Sequence, residues 1–349
     1  MDLSDPKASF VANGTNLHAC TKPITLSATH PQYPHNMSPP TPVSQGLHGV
    51  WVDALMPLTS DQRVDLVHLT SHLRTLGAKG ASQFLLFGCG GEGPSFSGQE
   101  KLATLRHLLA AGFSAEQFML GVSYSAVSET IALAHAAHDL GVRRFLVPPP
   151  LHVSRPQQAG VVRYFDALMQ GLHRPDVHLH LHLLDSGSAG DLSDAVIADL
   201  LRTCPGQLAG LVDQGGVAPR TQDRLRNFGS QLGVCIAHEG NWTLVHTSGM
   251  VSALANLVPH LVQGLLSSLD PAQATKIVGL KERRPDDRIQ ELLRVIGDRP
   301  LVPTLKLLLS LMYRNADWLR VRPPHATLDP VSQESLMKAF KTFNLQPNE

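Results

Sequence analysis

A glycine-rich stretch carries the first residues that could do chemistry. Residues 84–95 read Phe-Leu-Leu-Phe-Gly-Cys-Gly-Gly-Glu-Gly-Pro-Ser, a short apolar run that breaks into four glycines around one glutamate. Such a turn can aim successive backbone N–H groups at an anion. Cys89, Gly90 and Gly91 are therefore candidates to bind a carboxylate or a phosphate. A strand-to-helix turn without any ligand explains the same glycines equally well, and neither a dinucleotide fingerprint nor a P-loop is present.

Two side chains of this loop have chemistry of their own. Cys89 is predicted to lie beside loop amides and the start of a helix, which would lower the pKa of its thiol and make it reactive. The alternative is the commoner buried and inert cysteine. Glu92 is predicted to accept N–H bonds of the loop and hold its turn rather than to catalyse.

Three histidines form a second candidate cluster. His178, His180 and His182 alternate with leucines, so their imidazoles share one face of a strand. His180 and His182 could together ligate a divalent metal, with further ligands from Asp185, Asp213, His238 or Glu239. The favoured alternative has no metal and pairs His180 with the buried carboxylate of Asp53. His182 could transfer protons, because imidazole titrates near neutrality.

Composition narrows the class of protein. The 349 residues are 43% hydrophobic and carry a formal net charge of zero, so we expect a large core and no nucleic-acid partner. The four cysteines form no C-x-x-C pair, which favours reduced thiols and a cytoplasmic location. No apolar stretch reaches the length of a membrane helix, and the start of the sequence does not read as a secretory signal.

The pattern of elements predicts the scaffold that positions these residues. Residues 1–47 lack a hydrophobic period and are predicted to form a flexible N-terminal arm. Short apolar strands then alternate with helical segments, which predicts an α/β fold, a closed (β/α)8 TIM barrel over residues 48–270. A C-terminal helical extension is predicted for residues 271–349. The predicted strands cover residues 50–55, 84–87, 118–122, 142–147, 178–184, 208–212, 233–237 and 249–253. The main predicted helices cover residues 61–76, 99–111, 128–140, 157–172, 193–201, 221–228, 289–296, 303–312 and 332–343.

Three segments carry a family resemblance. Gly-Val-Trp-Val-Asp-Ala-Leu-Met-Pro at residues 49–57, the glycine loop at residues 88–95, and Gly-Met-Val-Ser at residues 249–252 with Asn256 and Pro259 resemble the dihydrodipicolinate synthase and N-acetylneuraminate lyase family. The resemblance implies a (β/α)8 barrel with C-terminal helices, usually a homotetramer built from dimers. It also implies class I aldolase chemistry on pyruvate or related 2-keto acids. In that chemistry a lysine on the sixth strand forms a Schiff base and a tyrosine on the fifth moves protons.

The family's catalytic residues are not found at the matching positions. Val212 stands where the resemblance implies the Schiff-base lysine, and His182 stands where it implies the tyrosine. Cys89 and Gly90 replace two threonines of the glycine loop. A second tyrosine, lent by a neighbouring subunit, falls near Leu151 or His152. Glu92, His152 and Asp213 are expected to contact the residues that bind the ligand rather than the ligand itself.

No other lysine is predicted to substitute. Lys79 precedes the second strand at the opposite end of the barrel, Lys101 lies on a helix, and Lys306 belongs to the C-terminal region. The sequence therefore predicts a protein inactive as a class I aldolase and without a cofactor, retained to bind a small carboxylate or 2-keto acid or to serve as an oligomeric partner. That partner is predicted to be a second copy, in a dimer or tetramer, or an active paralogue.

Two alternatives stay open. The protein could be a lyase or hydratase that uses His182 without an imine, or an ordinary aldolase if the lysine lies elsewhere.

Overall fold

A closed barrel of eight parallel strands forms the centre of the molecule. The computed structural model describes residues 46–150, 153, 156–184, 191–203, 206–238, 240, 245, 247, 249–267 and 285–345, all within one compact unit. The strands follow one another around the barrel in chain order, and β8 closes it against β1. They are β1 Gly49–Asp53, β2 Gln83–Leu86, β3 Phe118–Gly121, β4 Arg144–Val147, β5 His178–Leu183, β6 Leu208–Asp213, β7 Gly233–Ile236 and β8 Gly249–Ser252. The predicted (β/α)8 fold is confirmed.

Helices surround the barrel and continue beyond it. Those of the barrel are α1 Leu66–Ala78, α2 Gly98–Ala110, α3 Val127–Asp139, α4 Gln158–Leu172, α5 Asp194–Thr203, α6 Ala218–Phe228 and α7 Pro259–Ser267. The C-terminal part adds α8 Pro285–Ile296, α9 Leu301–Tyr313 and α10 Pro330–Phe343. Among the described residues, no helix is long and apolar enough to cross a membrane. The predicted boundary at residue 271 lies outside the described residues.

Two apolar layers follow from the two-residue period of the strands. Side chains such as Val52, Phe84, Leu120 and Leu181 point outward and pack against the helices. The alternate side chains fill the barrel interior. The interior apolar set is Leu47, Trp51, Leu85, Met119, Leu146, Val212, Cys235 and Val251.

The described chain begins at the floor of the barrel. Leu47 was predicted to belong to the N-terminal arm, but it is buried against the interior set. A Cβ atom on Gly249 would lie 2.5 Å from the Leu47 carbonyl oxygen, and one on Gly233 would lie 2.6 Å from the Gly46 Cα atom. Gly233 and Gly249 are the first residues of β7 and β8. The segment at Gly46 and Leu47 therefore crosses the N-terminal ends of these strands. The burial of Leu47 inside the barrel sets the boundary between the arm and the barrel. No hydrophobic period in the local sequence indicates it.

Helix α1 begins five residues later than predicted. The sequence predicts a helix from residue 61, but the Thr59 N–H donates to the Arg63 carbonyl oxygen at 2.8 Å in a turn. Asp65 then caps the helix by accepting the His68 N–H at 3.0 Å. Val67, predicted to lie on the apolar stripe, is 75% exposed. It precedes the buried Leu69 by two residues, about 200° around the helix.

Candidate functional site

The candidate site lies where β2, β5 and β6 end at the C-terminal mouth of the barrel, the end at which barrels of this kind carry their active sites. Cys89 follows β2, His182 is the penultimate residue of β5, and Val212 is the penultimate residue of β6. His182 and Val212 are register partners across the β5–β6 pair. The structure therefore brings together three of the residues that the sequence analysis selected.

A hydrogen-bonded chain of three side chains crosses this mouth. The Cys89 Sγ atom lies 4.0 Å from His182 Nδ1, and His182 Nε2 lies 2.8 Å from the Gln214 Oε1 atom. Gln214 was not selected from the sequence. Its only sequence signal is its place two residues after Val212, because such residues share a face of an extended strand.

Burial sets the charge of the imidazole. His182 is 5% exposed. Desolvation lowers the pKa of His182 to about 4, although the Gln214 hydrogen bond and the nearby Asp213 charge act in the opposite direction. The ring is therefore neutral at pH 7, the form that can accept a proton.

The glycine loop closes around a carboxylate of the protein itself. The Gly90 N–H donates to Asp53 Oδ2 at 2.7 Å. A Cβ on Gly88 would lie 2.4 Å from Asp53 Oδ1, and one on Gly90 would lie 2.9 Å from Oδ2. The Gly90 amide, predicted to bind a ligand anion, thus donates to Asp53 instead. Carboxylate binding by Cys89 and Gly91 stays a prediction.

Glu92 has partners other than the expected ones. It was predicted to accept N–H bonds of its own loop. Instead its side chain is buried in an ion pair with Lys306 of α9 and accepts the Arg322 backbone N–H at 2.6 Å. Glu92 therefore fastens the loop that carries Cys89 to the C-terminal part of the chain.

Asp213 supports the site from outside the barrel. It accepts hydrogen bonds from the Arg224 guanidinium at 2.7 Å, from the Thr221 hydroxyl at 2.9 Å and from the Gly215 N–H at 3.0 Å. Three donors from α6 and its preceding turn thus fix Asp213, which lies between Val212 and Gln214 at the end of β6.

Comparison with known proteins identifies the family. The model of the dihydrodipicolinate synthetase family matches residues 46–343. An uncharacterized DapA-like lyase of Chloroflexus aurantiacus is 31% identical over 228 residues, which are 63% of this chain and 74% of that protein. This chain belongs to the dihydrodipicolinate synthetase family.

Solved structures agree in fold with this family assignment. Dihydrodipicolinate synthase from Agrobacterium tumefaciens superposes with a TM-score of 0.74 at 24% identity, covering 86% of this chain and 100% of that one. Proteus mirabilis N-acetylneuraminate lyase gives a TM-score of 0.72 at 17% identity, covering 86% and 99%. The predicted family resemblance is thus confirmed.

The structure does not form the predicted pair between His180 and Asp53. His180 is fully buried, and neither of its ring nitrogens has a hydrogen-bond partner among the described residues. Its Nδ1 atom instead lies against the backbone of Gly210, 2.7 Å from where a Cβ would stand. The two side chains project from β5 and β1, strands that are not neighbours in the barrel, so facing inward does not bring them into contact.

The metal alternative finds no third ligand in the described part of the chain. No three histidine, cysteine, aspartate or glutamate side chains gather there with the geometry of a metal site. Asp213, proposed as a ligand, is committed to Arg224. Asp185, Glu239 and His152 lie outside the described residues.

Acid is expected to destabilise this family member through its buried histidines. Desolvation lowers the pKa of His180 to about 3, helped by the charges of Arg144 and His178, and lowers that of His72 to about 4. Groups with a lowered folded-state pKa favour folding above their ordinary value of 6.5, and this stability is lost as the pH falls toward 4. Urea unfolding at several pH values measures the loss.

One substitution separates this effect from general acid denaturation. His180→Leu removes a buried histidine that is neutral in the folded state. We therefore expect the free energy of unfolding to fall by about 2 kcal/mol less between pH 6.5 and 4 in this variant than in the wild-type chain. His260→Leu changes an exposed histidine of α7 and is the matched control. Equal pH profiles for the two variants would contradict the role given to His180.

Proposed function

We propose that this chain is a family member that binds a small carboxylate or 2-keto acid at the barrel mouth without forming a Schiff base. The observation that carries the proposal is Val212. It is fully buried in the barrel interior and stands at the position that the family resemblance assigns to the lysine. An isopropyl group has no amine, so an imine cannot form there.

The described lysines support the same conclusion. The Lys101 Nζ donates to the Gly121 carbonyl oxygen at 3.1 Å and lies over the rings of Phe87 and Tyr124. Burial lowers the pKa of Lys101 to about 7, but its side chain is fully enclosed behind the loop. Lys306 is engaged by Glu92. Neither amine is open to a ligand at the mouth.

A second candidate function is a lyase or hydratase acting on a small carboxylated substrate through His182. The observation that favours it is the hydrogen bond from His182 to Gln214. That bond orients a neutral imidazole in the mouth, as general base catalysis requires. No cofactor is needed for either function.

We also propose a cytoplasmic oligomer. The described cysteines, Cys89 and Cys235, are thiols rather than disulfides, which suits a reducing compartment. The family resemblance implies a homotetramer built from dimers, and a hetero-oligomer with an active paralogue is the alternative for an inactive member. Light scattering of the chain alone and mixed with such a paralogue distinguishes these states.

Incubation with pyruvate and borohydride tests the loss of the imine. Borohydride reduces a Schiff base to a stable secondary amine, so an aldolase gains the mass of a reduced pyruvyl group. We expect no gain for the wild-type chain by intact mass spectrometry. Val212→Lys restores an amine in a desolvated position where it would be nucleophilic, and we expect that variant to gain the adduct.

Val212→Met is the control for side-chain size, because it adds length without an amine. An adduct on the wild-type chain would overturn the proposal, and peptide mapping would then identify the responsible lysine. Binding of pyruvate is measured separately by calorimetry, so that absence of an adduct is not mistaken for absence of a ligand.

A further inference from the structure

The side chains of Cys89, His182 and Gln214 are arranged as thiol, imidazole and amide in a line. Gln214 Oε1 is an acceptor, so His182 Nε2 carries the ring proton and donates it in the 2.8 Å hydrogen bond. The Nδ1 lone pair then faces the Cys89 sulfur, 4.0 Å away. This is the arrangement in which one group orients a base and the base activates a nucleophile, and it is often looser before a ligand binds.

Burial distinguishes Cys89 from the other described cysteine. Cys89 is partly exposed at the mouth, whereas Cys235 is fully buried among the apolar side chains of the barrel interior. Burial raises the pKa of the Cys235 thiol to about 12. Of these two cysteines, Cys89 is the one that combines access from solvent with a neighbouring base, and Cys235 provides a control within the same molecule.

The loop fixes the position of the thiol. The amide of the next residue, Gly90, donates to Asp53, and the Glu92 N–H donates to the Cys89 carbonyl oxygen at 3.2 Å. Glu92 is itself anchored by Lys306. These bonds hold the backbone that follows Cys89.

A buried histidine lies in the barrel interior below this line. His180 lies on the same face of β5 as His182, two residues deeper, and is fully buried with both ring nitrogens unsatisfied by any described residue. Buried polar atoms of this kind are normally paired with water or a ligand. The Nδ1 atom packs against the backbone of Gly210.

We propose that Cys89 is a nucleophile, activated by His182 and oriented through Gln214, that adds to the ketone carbon of a 2-keto acid. The inference rests on the proposed function, since it takes the same ligand class at the same mouth. It replaces the missing lysine by a thiol and gives the protein a covalent but reversible means of holding its ligand.

The step balances without any further reactant. A bond forms between Cys89 Sγ and C2 of the keto acid while the C2–O double bond becomes a single bond. The thiol proton passes to His182 Nδ1 and from there to the former ketone oxygen, giving a hemithioketal with a neutral hydroxyl group and the unchanged carboxylate of the keto acid. Nothing is oxidised or reduced, and the reverse sequence releases the keto acid.

Alkylation by iodoacetamide tests the activated thiol without any ligand. In the full-length chain we expect Cys89 to react faster than Cys235, as followed by peptide mapping. His182→Phe and Gln214→Leu are expected to slow Cys89 by roughly 10- to 100-fold. Gln214→Glu keeps the acceptor and is expected to retain the fast rate, so a merely structural role for Gln214 is distinguished. An unchanged Cys89 rate in His182→Phe would overturn the inference.

Pyruvate labelled with 13C at C2 tests the adduct. We expect the wild-type chain to give a protein-bound tetrahedral C2 resonance, absent in Cys89→Ala and distinct from the hydrate seen without protein. Bound pyruvate that keeps a ketone resonance would overturn the hemithioketal and leave the proposed function intact. A borohydride-stable amine adduct would overturn the proposed function instead, and pyruvate that does not bind at all would contradict both for this ligand.

Discussion

Replacing Lys306 by methionine is expected to lower the free energy of unfolding by about 3–5 kcal/mol. Neither side chain of the Lys306–Glu92 pair is exposed. Methionine keeps the length of the side chain but removes its charge, so the Glu92 carboxylate would stay buried with the Arg322 N–H and without a counter-charge. Removing one partner of a buried pair costs far more than the pair itself contributes, because the remaining charge is still desolvated.

Urea unfolding of two further variants makes this prediction specific. Lys338→Met changes an exposed lysine of α10 and is expected to alter the free energy of unfolding by less than about 0.5 kcal/mol. The double variant Glu92→Gln with Lys306→Met is expected to recover most of the loss. Its amide oxygen still accepts the Arg322 N–H, and no buried charge remains. A double variant as unstable as Lys306→Met would show that packing, not charge, was lost.

Replacing Arg224 by methionine is expected to be comparably destabilising, by about 3–5 kcal/mol. The Arg224 guanidinium lies 2.7 Å from Asp213 and 3.2 Å from Asp191, and its side chain is 2% exposed. It also donates to the Leu192 carbonyl oxygen at 3.1 Å. The substitution leaves Asp213 buried at the end of β6 without its charged partner. Only the hydrogen bonds from Thr221 and Gly215 would remain among those described above.

The same helix provides the matched control. Arg226 follows Arg224 by two residues on α6 and pairs with Asp223. The two side chains of this pair are 58% and 52% exposed. Arg226→Met is expected to change the free energy of unfolding by less than about 1 kcal/mol, because water screens an exposed pair. If Arg224→Met and Arg226→Met lowered the free energy of unfolding in urea by similar amounts, burial would not explain the importance of the Arg224 pair.

Both predictions concern the scaffold of the candidate site. The Glu92–Lys306 pair fastens the loop that carries Cys89, and the Asp213–Arg224 pair fastens the strand end that carries Val212 and Gln214. A barrel mouth is assembled from separate strand ends, so its geometry depends on such ties. The structure has one buried charge pair at each of these two places.

Local periods in the sequence were sufficient for the architecture. Apolar runs of strand length alternating with helical stripes predicted all eight strands within a few residues, because a parallel strand buried on both faces must be apolar throughout. The boundaries that failed, at Leu47 and at the start of α1, depend on one distant burial and on one cap. Neither leaves a periodic signal.

The sequence by itself determined which side chains are available for chemistry. It placed Cys89 after β2, three histidines on one face of β5 and a hydrocarbon at Val212 on β6, because strand period and order along the chain fix these positions. Together with the family resemblance, which implies a lysine at the Val212 position, these facts predict the loss of the imine.

Only the tertiary structure decided which of these side chains meet. It joined His182 to Gln214 and Cys89, gave the Gly90 amide to Asp53, paired Glu92 with Lys306 and left His180 apart from Asp53. Each of these contacts joins residues far apart in sequence, from 32 positions for His182 and Gln214 to 214 for Glu92 and Lys306. Barrel closure and helix packing set such distances, and no local pattern of residues records them.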